Sequence, residues 1–235
     1  MAIYDQYTKR DRFAAGIKIK LHQAQRIYDK GIINYKENPK RIFEIGPGDG
    51  YIAALTRNAG LSYTGIEGSD SVAARLETEG YTIVRSYVPP LPSVINGFQI
   101  CFVLHVIEHM KGATEAAQLI SQIWTALDDG GILVIACPDY ARWGYHFFDC
   151  DYTHSMPFTR RRLRQLLQDH QFEVIEETIY SGPLFGYRGL PLAWLAKLIY
   201  PQIVDDVVGR FIEKDSFNRG LLTFLPNLLI VGRKR

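Results

Sequence analysis

Cysteine is scarce in this chain, with three in 235 residues, at Cys101, Cys137 and Cys150. Their spacing matches no cysteine metal site and an odd number cannot all pair, so a reducing cytoplasmic setting is expected. Long apolar runs are also lacking. No stretch reaches the length of a membrane span, and the opening MAIYDQYTKRDRF has no apolar segment of the signal-peptide kind. Charge of one sign is missing as well. With 27 Lys and Arg against 25 Asp and Glu, the net +2 gives no global case for nucleic acid or an acidic membrane as partner. No internal repeat is visible. What remains is the composition of a soluble globular protein, 47% hydrophobic and 22% charged, long enough for one elaborated domain with a full core.

The densest signal lies at Arg41–Ala53, RIFEIGPGDGYIA. The run Ile42-Phe43-Glu44-Ile45 has the apolar character of a buried parallel strand, interrupted only by Glu44. Gly46, Gly48 and Gly50 follow at alternate positions and lead into a helix-compatible segment from Tyr51. Such a turn needs residues without Cβ, so that a ligand can press on the backbone, and the helix start beyond it offers free N–H groups. Dinucleotide loops use Gly-x-Gly-x-x-Gly spacing, which this is not, and that argues against a nucleotide-dependent oxidoreductase. A second strand ends in Thr64-Gly65-Ile66-Glu67, its acid seventeen residues after Gly50. A carboxylate there can accept both hydroxyl protons of a ribose.

Together the loop and Glu67 resemble motif I and its partner acid in the class I S-adenosylmethionine (SAM) dependent methyltransferases. The resemblance implies that Gly46, Gly48 and Gly50 wrap the methionine end of SAM. It also implies that Glu44 supports the cofactor's amino group and that Glu67 binds its ribose. Leu104 and His105 would flank the path of the methyl group. Members commonly carry an Asp near the adenine shortly after the third strand; here Ser86 and Tyr87 occupy that region, and Ser86 is the candidate.

Periodicity fills in the rest. Phe13, Ile17, Leu21, Ala24 and Ile27 mark an amphipathic helix over residues 9–30, ending at Gly31 and forming a cap or lid. Strands are predicted at 61–67, 81–84, Phe98–Leu104, 132–136, Phe172–Tyr180 and 224–231, with helices at 69–79, 113–127 and 159–170 between them. Gly130-Gly131 is read as the turn before the fifth strand, and 138–156 as irregular. This is an α/β pattern: a Rossmann-like, doubly wound, mostly parallel sheet of seven strands whose last pair is an antiparallel hairpin. The chain reads as a single methyltransferase domain over 1–235. Within it, 1–40 is a helical cap, 41–180 the SAM-binding core, 181–221 an apolar insertion and 222–235 the last strand with a basic tail. Within the insertion, residues 191–212 form two short helices split by Pro201. Three uses compete for them: a lid over the substrate, a dimer contact, or a face resting on a membrane.

Three clusters fall where the strands of such a sheet end, the place where ligands collect. His105, Glu108 and His109 share one helical face directly after the fourth strand, and His154 follows the fifth. Methyl transfer to an alcohol needs alignment and loss of the hydroxyl proton, which a histidine can accept; His105 and His154 are the candidate bases. The same set, His105, Glu108, His109 and His154, is also a candidate divalent metal site. It resembles the Glu-x-x-Glu-His element with a distal His of plant-type small-RNA 2′-O-methyltransferases, and the Glu-x-x-Glu-His element of ubiquinone-pathway O-methyltransferases. His105 stands where those families have Glu, which shifts the expected ion from magnesium toward zinc, manganese or iron. Thr159 reads as an N-cap, so Arg160, Arg161 and Arg162 sit against the helix dipole. They are either solvated or, with Arg164, recognise a phosphate or carboxylate. Tyr145, Phe147, Phe148, Tyr152 and Phe158 are candidate pocket aromatics. The Asp151–Leu167 phrase resembles methyltransferases of cell-surface glycan gene sets. The expected function is O-methylation of a small molecule, sugar or glycan precursor. The alternatives are a metal-assisted RNA 2′-O-methyltransferase, disfavoured by the charge balance, and a non-catalytic SAM-fold partner protein.

Overall fold

The computed structural model describes residues 14–199 and 222–235. Eight strands form one sheet: β1 (Arg41–Ile45), β2 (Ser62–Glu67), β3 (Ile83–Arg85), β4 (Phe98–Leu104), β5 (Leu127–Pro138), β6 (Phe172–Ser181), β7 (Leu184–Phe185) and β8 (Asn227–Lys234). Their spatial order is β3-β2-β1-β4-β5-β8-β6-β7. The first five are parallel, while β8 runs antiparallel to both β5 and β6. This is the doubly wound, Rossmann-like class I sheet, with one strand more than predicted. The addition, β7, is two residues pairing with the end of β6.

The apolar strands are continuous because both faces are covered. Phe43, Ile45, Cys101, Val103, Leu133 and Ile135 point to one face, where they pack with residues of α4 (Ala113–Ala126) and α7 (Arg160–Asp169). Ile42, Ile100, Phe102, Ile132, Val134 and Ala136 point to the other. There they meet α1 (Ala14–Asn34), α2 (Tyr51–Asn58) and α3 (Asp70–Thr78). Glu44 belongs to this second face by register, and that places its carboxylate under α1 rather than in solvent.

Several boundaries differ from the sequence expectation. Helix α1 does not stop at Gly31 but continues to Asn34. Gly31 is there because the helix lies against the sheet: a Cβ would come 2.7 Å from Phe102 Cζ. The buried stripe is Ala24, Ile27, Tyr28 and Gly31, with Leu21 exposed; Phe13 lies outside the described residues. Strand β5 begins at Leu127, so Gly130 and Gly131 lie inside it. The last strand starts at Asn227 instead of Phe224, since Pro226 has no N–H to give a ladder. The carbonyl of Pro226 instead accepts from Asp139 N–H at 3.1 Å and Trp143 Nε1 at 2.6 Å. The stretch 138–156 is not irregular throughout but holds α5 (Tyr140–Trp143) and α6 (His146–Asp149). In the insertion, α8 (Leu190–Ile199) is the first predicted helix; residues 200–212, and with them the second, lie outside the described residues.

Candidate active site

A cavity of about 890 Å³ opens at the carboxyl ends of β1, β2, β4 and β5, and α1 contributes Lys20, Gln23, Ala24 and Ile27 to its wall. Its floor is the β1–α2 turn. Gly46, with φ of 68°, donates its N–H to Ile66 O at 2.9 Å, and any Cβ there would sit 2.6 Å from Val106 Cγ2. The turn is thereby locked between β2 and the segment after β4, with backbone as the surface offered to a ligand.

Glu44 lines this cavity although its side chain is buried. Its Oε2 accepts the Tyr63 hydroxyl at 2.6 Å, and burial pushes its carboxyl up to about 8. Across the turn, Glu67 accepts the Ser69 N–H at 2.8 Å. Burial raises its carboxyl too, opposed by hydrogen bonds from the Ser69, Gly48 and Gly68 backbone. Ser86 and Leu104 are also on the wall, the Ser86 hydroxyl donating to Tyr87 O at 2.9 Å. Gly48 lines the same wall, and Gly50, with φ of 80°, opens helix α2 behind it.

The far wall carries the histidines. His105 follows the last residue of β4 in a left-handed conformation, φ 57°, with its N–H on Ala136 O at 2.8 Å. A residue with a side chain held in that region is costly and re-aims the ring. Its Nε2 meets Tyr180 Oη at 2.9 Å and its Nδ1 lies 3.4 Å from Glu108 Oε1. Burial keeps the Tyr180 phenol protonated, so it is the donor to His105. Glu108 is buried in a 3-10 turn, Ile107–His109. Burial opposes its charge, but the His105 hydrogen bond and the fields of His105, His109 and His154 hold its carboxyl below the usual range. Burial moves His109 the other way, lowering its imidazole and favouring the neutral ring.

His154 comes from the loop after α6, and that loop is tied to the turn: Ser155 and Met156 N–H donate to Glu108 O at 3.0 and 2.9 Å. The rings of His109 and His154 are 4.9 Å apart. Donor atoms of Glu108, His109 and His154 lie within 4.8 Å of one another, the group of that kind found among the described residues. His105 is not in it, its ring being turned to Tyr180. Of the four predicted residues that group holds three, and His105 stands beside it through Glu108.

A family model described as methyltransferase domain matches residues 21–177. The chain belongs to the methyltransferase-domain family. It is a class I SAM-dependent methyltransferase, and no curated protein sequence matches it. Among solved structures, a SAM-dependent methyltransferase of Archaeoglobus fulgidus is similar at TM-score 0.65 and 18% identity, covering 99% of this chain and 100% of its own. The N-methyltransferase NodS of Bradyrhizobium japonicum, bound to S-adenosylhomocysteine, is similar at TM-score 0.59 and 14% identity, with 92% and 87% covered. The [4+2]-cyclase SpnF reaches TM-score 0.59 at 17% identity, with 89% and 80% covered. At these identities the likenesses show the fold and leave the acceptor open.

In this methyltransferase Arg160, Arg162 and Arg164 have structural partners. Arg160 and Arg164 both pair with Glu177, Arg160 through Nε at 2.7 Å, and Arg162 donates to Pro157 O at 2.8 Å. Thr159 caps the helix as predicted, and none of Arg160, Arg161, Arg162 and Arg164 lines the cavity. The predicted aromatics do not line it either: Phe147 and Phe158 are buried in the core, while Tyr145, Phe148 and Tyr152 are exposed. Sequence reading missed Tyr180 and Tyr63, and gave Asp151 and Thr153 no role although they stand just before His154. Tyr180 meets His105, Tyr63 meets Glu44 and Thr153 meets His109 only through the fold, and a tyrosine or threonine in isolation carries no signal of that.

Proposed function

We propose that the enzyme transfers the SAM methyl group to a hydroxyl oxygen of a small molecule, with a sugar or glycan precursor as the preferred class. The observation that carries this is the shared cavity: the glycine turn with Glu44 and Glu67 forms one wall, and the imidazoles of His105, His109 and His154 form another. An amine in its neutral form attacks through its own lone pair, whereas an alcohol must lose a proton as its oxygen attacks. A wall of imidazoles beside the methyl path suits the second case. In this reading Glu44 supports the SAM amino group, Glu67 holds the ribose hydroxyls and Ser86 lies near the adenine. His105 or His154 takes the acceptor proton. The methyl C–S bond breaks as the C–O bond forms, and its electron pair stays on sulfur, which neutralises the sulfonium.

The test is a panel of hydroxyl, amine and thiol acceptors with methyl-labelled SAM, repeated with His105→Ala and His154→Ala. We expect label on hydroxyl oxygen, and a fall in kcat of about 100-fold or more in at least one variant. Methylation of amines alone, or full turnover in both variants, overturns the assignment of acceptor or base respectively.

A further inference from the structure

We propose that Glu108, His109 and His154 bind one divalent transition-metal ion in the wall of the cavity, with His105 outside its ligand set. The inference rests on the methyltransferase reading for the ion's purpose, but not for its existence. Hydrogen bonding fixes which ring nitrogen carries the proton in the neutral form of each imidazole. His154 Nδ1 lies 2.6 Å from Phe147 O, and a carbonyl can only accept, so Nδ1 carries the proton and Nε2 the lone pair. At His109 the same result comes through a relay. Thr153 Oγ1 donates its single proton to Asp151 Oδ1 at 2.6 Å. Toward His109 Nδ1, at 2.8 Å, the hydroxyl must therefore accept, and Nε2 is again the nitrogen with the lone pair. Imidazoles that ligate metals are held in this way, by a hydrogen bond from the other ring nitrogen to a carbonyl or toward a carboxylate.

The third donor is the independent sign. Glu108 lines the cavity at 1% exposure, and although Oε1 faces His105, its Oε2 is buried with no hydrogen-bond partner. A carboxylate oxygen buried without a partner is destabilising. A cation held between this oxygen and the two imidazoles removes that cost. The set is also preassembled: the two backbone bonds from Ser155 and Met156 to Glu108 O hold the His154 loop to the turn carrying the other two donors. Two imidazoles and one carboxylate suit zinc, manganese or ferrous iron better than magnesium, and leave coordination positions open for an acceptor oxygen. Bound there, an acceptor hydroxyl is acidified before it meets the methyl group.

The test uses the purified full chain, stripped by chelator and titrated with Co²⁺ while visible absorption is followed, with metal analysis after dialysis against Zn²⁺ or Mn²⁺. We expect one ion per chain and ligand-field bands that Glu108→Gln and His154→Ala abolish. His105→Ala should keep the bands. Thr153→Val, which leaves all three donors in place, should weaken Co²⁺ binding about 10- to 100-fold. Calorimetric SAM binding, run on every variant, separates a lost fold or lost cofactor site from a lost metal site. Absence of bands and of stoichiometric metal in protein that still binds SAM overturns the proposal. Loss of the bands in His105→Ala with SAM binding intact overturns the three-residue set.

Discussion

Glu44 puts a carboxyl where burial opposes its charge and the proposed ligand rewards it. Its carboxyl sits at about 8 in the folded protein, against an ordinary value of 4.5. Below pH 4.5 the folded and unfolded chains both hold this proton. Between 4.5 and about 8 the unfolded chain releases it while the folded chain keeps it, so the contribution to stability falls as pH rises and levels off above 8. Glu44→Gln keeps an acceptor for the Tyr63 hydroxyl and has nothing to ionise. Urea unfolding across pH 5–9 should therefore show a downward slope in the native enzyme that is shallower in the variant. Superimposable slopes would mean the carboxyl ionises freely. The residue was legible in the sequence as an acid in an apolar strand, but its Tyr63 partner was not. That contact depends on β1 and β2 pairing in a register that sets Glu44 opposite Gly65, two residues beyond Tyr63.

Helix α1 makes the same point for an element. Its period is plain in the sequence, yet its end was misread, because glycine ordinarily marks a helix stop. In space Gly31 is the contact point of the helix with β4, facing a Phe102 ring that is fully buried and stacked on Tyr28 at 6.0 Å. An interior helical Gly→Ala change usually stabilises by about 1 kcal/mol. Here the added methyl meets a ring with nowhere to turn, and overpacking of this kind costs about 1–3 kcal/mol. Gly31→Ala should thus lower the thermal midpoint, whereas Gly16→Ala, where a Cβ meets nothing within 4 Å, should raise it slightly or leave it unchanged. A stabilised Gly31→Ala would show that the helix can lift from the sheet. Helix α7 fits the same pattern: Thr159 was readable as its cap, but Glu177, which pairs with two of its arginines, is on a strand that only the fold brings alongside.

Across the whole molecule, the cofactor wall was more legible than the histidine wall, and the reason is sequence distance. The glycine turn and Glu67 lie within 24 residues, Glu44 to Glu67, on adjacent strands. The histidine wall joins residues from the ends of β4 and β6 and the loop after α6, and its decisive bonds, Glu108 O to Ser155 and His105 to Tyr180, span long intervals of chain. This division predicts how the molecule opens. β1, β4, β5 and β8 are interior strands paired on both sides, while β3 and β7 are edges of three and two residues. In hydrogen exchange the interior strands should exchange only through global unfolding, and the edges by local opening at much lower cost. Added SAM should slow exchange in the β1–α2 turn and at Gly68–Ser69, with little change at 150–156. Glu67→Ala should remove most of that protection without altering the interior strands. Equal protection of the 150–156 loop by SAM alone would mean that the cofactor, not the acceptor or an ion, occupies the histidine wall, and the two-walled assignment of the cavity would have to be redrawn.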